Sequence, residues 1–328
     1  MTSLLSVRNL QLNLTTRAGV VQALRGVDFH LEKGETLAIV GESGCGKSMT
    51  ALSLCGLLPP RAELRGEVML AGQSLLQQSE KQWRQWRGNR LAMIFQNPMS
   101  ALNPTMTVGQ QIFEVLKQHR NIGKKQGMKQ VEALLTQLQL TQPAKRMKQY
   151  PFELSGGMLQ RVMIAMAVIC DPELLIADEP TTALDVTVQA EVLALLKSLQ
   201  RERQMGLLMI THDLAVVAQI AQRVAVMYAG QIVEQGTVAD IFHSPSHPYT
   251  QGLLASLPSR QIAKSEGLQM IAGSPPSLIN PPKGCSFSAR CSQVMQLCPE
   301  QQPPVHQLNT ASRCWLPSRD ALLEEAGK

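Results

Sequence analysis

The chain has 328 residues, 44% of them hydrophobic, 17% charged and only 4% aromatic. That balance excludes a disordered or low-complexity chain, and it suits one large domain with an extension or two modest ones, with a core of Leu, Val, Ile, Ala and Met. The formal charge of +6 is concentrated between Lys81 and Lys148, where it reads as a solvated basic face or one near an anionic inner leaflet; Trp83 and Trp86 give too little basic–aromatic interleaving to expect a nucleic-acid partner.

In chain order, Leu4–Leu14 reads as a strand, with Leu5, Val7, Leu10, Leu12 and Leu14 mostly at period two. Residues 20–31 predict a second strand or a pair of strands. Thr36–Val40 is a short apolar run of the kind buried on both faces. A glycine-rich turn follows, then a helix over 48–58 ended by Pro59-Pro60. Residues 66–70 and 91–95 predict strands. Val131, Leu134, Leu135 and Leu138 share one face of a helix over 128–140. A helix over 155–169 has Ser155 at its N-cap, and 174–177 is a buried strand ending in acids. A helix over 188–202, a strand over 207–211 and a helix over 214–221 precede a hairpin of 224–228 with 231–234. Strands alternating with helices indicate a mostly parallel α/β sheet. From about Ser244 the chain becomes rich in Pro, Gln, Ser and Cys and reads as a small irregular module with no second core. Met1 to Leu14 lacks the apolar core of a signal peptide, and no run approaches the roughly 18 apolar residues of a membrane helix. Scattered free cysteines fit the cytosol.

Gly41-Glu42-Ser43-Gly44-Cys45-Gly46-Lys47-Ser48 fits GxxxxGK[ST] between a strand and a helix that continues through Met49. Glycines let backbone N–H groups cradle phosphates at a positive helix end, Lys47 reaches the β- and γ-phosphates, and Ser48 coordinates Mg²⁺. Asp178 and Glu179 end an apolar strand, where α/β sheets place ligands. Asp178 would hold Mg²⁺ through water, and Glu179 would polarise the attacking water.

Leu154-Ser155-Gly156-Gly157-Met158-Leu159-Gln160-Arg161 resembles the signature motif of ATP-binding cassette (ABC) ATPases. The order of P-loop, Gln96, signature, Asp178-Glu179, Ala183-Leu184-Asp185 and His212 also matches that family, over roughly residues 4–240. The resemblance implies a RecA-like core with antiparallel β and α-helical subdomains. Residues 1–242 would form the cassette, with the helical part at about 97–171. It further implies a head-to-tail pair of cassettes with ATP between one P-loop and the other's signature. Ser155, Gly156, Gly157 and Gln160 would then face the nucleotide across the interface. Gln96 would touch Mg²⁺ and the lytic water, His212 the γ-phosphate, and Asp185 would bridge the cassettes. Many family members stack adenine on an aromatic residue before the P-loop; residues 14–24 contain none, leaving Val20 or Val21 near that place. Cys45 inside the P-loop is either a reactive thiol in electropositive surroundings or a small buried residue.

MIFQNPMSALNP at 93–104, LLIADEPTTALDVT at 174–187 and His247-Pro248-Tyr249-Thr250 with Gly252-Leu253-Leu254 resemble the oligopeptide/dipeptide/nickel import family, closest to its dipeptide-type ATPases. That likeness implies a peripheral subunit on the cytoplasmic face of the inner membrane. Its partners would be two membrane-spanning permeases, a second ABC ATPase (a paralogue rather than a copy) and, indirectly, an extracytoplasmic solute-binding protein. The cargo would be di- or oligopeptides, with nickel or another metal complex as the alternative; a soluble non-transport ABC ATPase is the remote one. Residues 243–328 would form the Cys-rich C-terminal extension. There Cys285, Cys291, Cys298 and Cys314 are spaced C-x5-C-x6-C-x15-C, unlike common zinc or ferredoxin runs. A module so poor in apolar residues would gain order from a metal crosslink. The resemblance implies a [4Fe–4S] cluster, with Zn²⁺ as the alternative.

Overall fold

The computed structural model describes residues 3–182, 184–257 and 271–318; Ala183 of the Ala183-Leu184-Asp185 motif, and the parts of the expected domains at 1–2, 258–270 and 319–328, fall outside them. Strands β1 (Leu5–Thr16) and β2 (Gly19–Leu31) pair antiparallel, and β2 is one continuous strand, its register adjusted by irregularities in the β1 pairing. β3 (Thr36–Val40) is buried throughout and leads into α1 (Lys47–Leu54). That helix stops before the two prolines. Gly56, at φ 62°, takes the left-handed position, with Leu57 N–H on Leu52 O and Gly56 N–H on Ser53 O, a Schellman end. A Cβ on Gly56 would also lie 2.5 Å from the Trp83 ring.

β4 (Ala62–Leu70) and β5 (Gln73–Ser74) complete a four-stranded antiparallel sheet in the order β2-β1-β4-β5. Then come α2 (Glu80–Trp86) and β6 (Leu91–Ile94). Trp83 and Trp86 are buried, with Arg87 and Arg90 over their rings, so neither offers a stacking platform. A run of helices follows: α3 (Pro98–Ala101), α4 (Val108–His119), α5 (Lys124–Gln137), α6 (Pro143–Arg146) and α7 (Gly156–Val168). The remaining elements are β7 (Leu174–Asp178), α8 (Val186–Arg203), β8 (Gly206–Ile210), α9 (Leu214–Ile220), β9 (Arg223–Tyr228), β10 (Gln231–Thr237), α10 (Val238–His243), α11 (Pro248–Ala255), β11 (Val305–Gln307) and β12 (Ala311–Arg313).

The main sheet has eight strands in the order β11-β12-β10-β9-β3-β8-β7-β6. Strands β9, β3, β8, β7 and β6 run parallel; β10, β12 and β11 are added antiparallel at one edge. Alternation divides each strand between two cores. Ala38 and Val40 face the core shared with the helices, while Leu37 and Ile39 face the one shared with the antiparallel sheet. Among the described residues no helix is long and apolar enough to cross a membrane.

The described residues after Ser244 build no separate core. Tyr249 and Phe287 join the main one, and β12 pairs with β10. Fully buried Glu234 ties them together: its carboxylate accepts from Ser246 N–H (2.6 Å), His247 N–H (3.1 Å) and the Thr310 hydroxyl (2.6 Å). Removing it in Glu234→Ala leaves the Ser246 and His247 N–H groups without an acceptor, while the Thr310 hydroxyl keeps Ser246 Oγ (3.0 Å), an expected loss of about 2 to 3 kcal/mol. Urea unfolding checks this; a midpoint shift worth less than about 1 kcal/mol at constant m contradicts it.

Candidate nucleotide site

Four loops leave the carboxyl ends of adjacent strands β3, β8, β7 and β6, the edge where open α/β sheets bind ligands. They carry the P-loop, His212, Asp178-Glu179 and Gln96 respectively. The P-loop backbone needs its first glycine: Gly41 has φ 154°, and a Cβ there would lie 2.1 Å from Met227 O. Lys47, 5% exposed, curls back so that Nζ donates to Gly41 O (2.8 Å) and Glu42 O (2.9 Å). Its ammonium is therefore held at the mouth of the loop by neutral acceptors alone. Ser48 Oγ donates to Asp178 Oδ1 (3.1 Å), bringing together two of the three residues expected to hold Mg²⁺. Burial pushes the Asp178 carboxyl above its ordinary value, a penalty that a bound cation would offset.

Glu179 is the hub. Gln96 Nε2 donates to its Oε2 (2.8 Å), the Thr182 hydroxyl donates to the same oxygen (2.9 Å), and His212 Nδ1 lies 3.0 Å from Oε1. Burial raises its carboxyl, but the His212 and Thr182 hydrogen bonds and the charges of His212 and Lys47 outweigh it, so it lies below its ordinary value and stays ionised. Its backbone sits at φ 46°, a strained conformation for a non-glycine residue, fixed by its N–H on Ile210 O (2.9 Å).

The pocket beside these groups is lined by Ser43, Gly44, Gly46, Lys47, Ser48 and Met49, by Gln96 and Glu179, and by an apolar wall of Leu14, Val21, Ala23 and Leu278. Of the two valines expected near the base, Val21 lines the pocket and Val20 does not. Leu278 was invisible to sequence reasoning because it comes from the far C-terminal segment. An aliphatic wall loses the stacking that discriminates between bases, so ATP and GTP turnover within about threefold of each other is expected, checked by phosphate release with each nucleotide at saturation. Cys45 is 5% exposed and its thiol is pushed above its ordinary value by burial, the nearby Lys47 notwithstanding. The reactive-thiol expectation gives way to the small buried residue.

The signature lies apart: none of Ser155, Gly156, Gly157, Gln160 or Asp185 lines this pocket. Ser155 is at the N-cap of α7, as expected, and its side chain makes no capping hydrogen bond. The hydroxyl and the first N–H groups of the helix therefore stay available. Gln160 is buried beneath the motif, its Nε2 without a partner. Asp185 does cap α8, accepting from Thr187 N–H (3.1 Å) and Val188 N–H (3.0 Å).

The four C-terminal cysteines line one small, largely enclosed cavity of about 10 Å³ together with His247. Among the described residues, no three His, Cys, Asp or Glu side chains come close enough to hold a single metal ion. Burial raises the thiols of Cys285 (to about 11), Cys291 and Cys314.

A buried P-loop lysine, a strand-end acid pair and a separate signature helix in one α/β sheet define an ATP-binding cassette. Comparison with known proteins agrees. Residues 24–182 match the ABC transporter family model, and residues 233–298 match the oligopeptide/dipeptide transporter C-terminal region. The chain is 50% identical over 325 residues to the dipeptide transport ATP-binding protein DppD of Bacillus subtilis (98% of this chain, 97% of the relative). It is 46% identical over 322 residues to the oligopeptide transport ATP-binding protein OppD of Escherichia coli (98% of this chain, 95% of the relative). Among solved structures, a post-hydrolysis dimer of the cassette MJ0796 with ADP and phosphate superposes with TM-score 0.65 at 25% identity, over 71% of this chain and 98% of that one. The chain belongs to the ATP-binding proteins of oligopeptide and dipeptide ABC transporters, and it is an ATP-hydrolysing transporter subunit.

Proposed function

We propose that this chain powers uptake of di- or oligopeptides through permease subunits, on the cytoplasmic face of the membrane. The observation that carries the reading is the two-part site: a P-loop pocket complete except for groups that the free Ser155 end of α7 supplies. Such a division calls for a second cassette placed head to tail, a paralogue or another copy. Tyr150, Phe152 and Val186, beside the signature and Asp185, are exposed apolar residues fit for that contact. Gly41–Met49 bind the triphosphate, with Gly44, Gly46 and Lys47 around the phosphates. Ser155, Gly156 and Gly157 of the partner copy's equivalent loop close over the γ-phosphate, Gln160 supports that loop from below, and Asp185 joins the cassettes. Ser48, Asp178 and Gln96 would hold Mg²⁺, which when bound would supply charge neutralisation at the phosphates. Glu179 accepts a proton from water positioned by Gln96 and His212.

An apolar groove of about 270 Å³, lined by Leu57, Phe95, Leu102, Met163 and Met166 among others, opens beside Gln96. It suits an amphipathic cytoplasmic segment of a permease, which Gln96 would link to the γ-phosphate. Residues 1–242 act as the cassette, with 97–171 as its helical part and 243–328 as an extension folded onto it. The four thiols line one small cavity without meeting at a point, so a [4Fe–4S] cluster shared among them, or Zn²⁺ as the alternative, would require them to rearrange around it. His247 Nδ1 accepts from Tyr249 N–H while its buried Nε2 has no partner, an orphan donor that a cluster sulfur would satisfy. The group would be structural. Iron and labile sulfide in the anaerobically purified chain test it; thiols that bind neither iron nor zinc overturn it.

The solute is tested by uptake of labelled dipeptide and of nickel in cells lacking the chain. Dipeptide uptake restored by the wild type but not by Lys47→Ala supports the proposal. Rescue of nickel uptake alone, or of neither, overturns the peptide assignment.

A further inference from the structure

The C-terminal extension reaches the nucleotide pocket at two points. The first is Glu42, the second residue of the P-loop. Its N–H donates to Tyr249 Oη (3.0 Å), and its carboxylate accepts from both terminal nitrogens of Arg290 (2.8 and 3.1 Å). The Arg290 side chain is 6% exposed and also donates to Ala272 O (2.9 Å), Ile271 O (3.1 Å) and Tyr228 Oη (3.3 Å). A buried guanidinium so fully satisfied holds its partner in one geometry. What it holds matters, because Glu42 O is one of the two carbonyls that seat Lys47 Nζ. The second point is Leu278. Its carbonyl accepts from Gln22 N–H (2.8 Å) and its side chain joins Leu14 and Val21 in the apolar wall.

The geometry points to the extension as part of the nucleotide site: Leu278 is a binding residue that supplies apolar contact in the base wall, and Arg290 is a positioning residue that seats Lys47 through Glu42. This rests on the ATP reading above and adds to it residues that lie outside the cassette motifs. The wall has no aromatic ring, so Leu278 supplies apolar area that the cassette's own strands leave uncovered. Arg290 lies in the turn between Cys285 and Cys291, so the thiol cavity and the P-loop share one short segment. Nucleotide affinity and order in that segment are then coupled, each strengthening the other.

The two roles separate by ligand. Leu278→Asn in the full chain is expected to weaken ATP binding about fivefold to tenfold, the scale of losing one apolar contact, and to leave inorganic tripolyphosphate affinity unchanged. Leu278→Phe is expected to tighten ATP alone. Arg290→Met is expected to weaken ATP and tripolyphosphate alike by about tenfold or more, with Arg290→Lys failing to restore them because one ammonium cannot replace the two-pronged contact. Glu42→Gln combined with Arg290→Met should cost no more than either alone. Equal losses for both ligands in Leu278→Asn would remove Leu278 from the base wall. A lowered melting temperature with unchanged nucleotide affinity in Arg290→Met would reduce Arg290 to a structural role. If wild type itself binds no nucleotide, the ATP reading fails first; if it binds and hydrolyses while every variant does the same, this inference alone fails.

Discussion

Glu179→Gln is expected to bind MgATP with near wild-type affinity and to release phosphate about 10²- to 10⁴-fold more slowly, the range for loss of a general base. The amide keeps the size and can still meet Gln96, Thr182 and His212, all of which converge on this side chain. What it loses is the ability to take a proton. Since the hydrogen bonds from His212 and Thr182, with smaller help from the charges of His212 and Lys47, outweigh burial and hold the carboxyl below its ordinary value, Glu179 is ionised in the neutral range and able to act as the base there. Single-turnover phosphate release, with nucleotide binding measured in parallel, checks this. Equal turnover in variant and wild type would assign the base elsewhere.

Lys47→Ala should fail at the earlier step. The ammonium is buried among carbonyls with no carboxylate against it, so its charge is kept for the phosphates in a low-dielectric site. Its loss is expected to weaken ATP by about a hundredfold, some 3 kcal/mol. Adenosine, which has no phosphates, should bind both forms equally weakly. Calorimetric titration distinguishes the outcomes, and unchanged ATP affinity would place the phosphates away from the P-loop.

Much of the site is legible in the sequence because its chemistry is local. A phosphate cradle needs glycines at fixed spacing and a helix beginning at Lys47, and an apolar strand must carry Asp178 and Glu179 to its end. Two helices were also legible but missed. Ser79 with Gln82 and Thr107 with Gln110 form capping boxes that open α2 and α4, each followed by buried apolar residues. Prolines at 59–60 mark a helix limit in the sequence, but Gly56 in the left-handed conformation ends α1 earlier, at Leu54. The extension was beyond reach for a different reason. The Arg290–Glu42 contact spans 248 residues of sequence, and β12 is a three-residue strand with no periodicity to read. Leu278 reaches the base wall by tertiary packing alone. Glu234 carries no signal either, as a lone acid in the second strand of a hairpin reads as a solvated position until three donors converge on it.

The most direct test of the account is phosphate release from MgATP by this chain assembled with its permeases and partner cassette in vesicles, compared with Glu179→Gln and Lys47→Ala. The account predicts hydrolysis by the wild type, retained binding without turnover in Glu179→Gln, and lost binding in Lys47→Ala. Hydrolysis that survives both substitutions in every cassette of the assembly would contradict it.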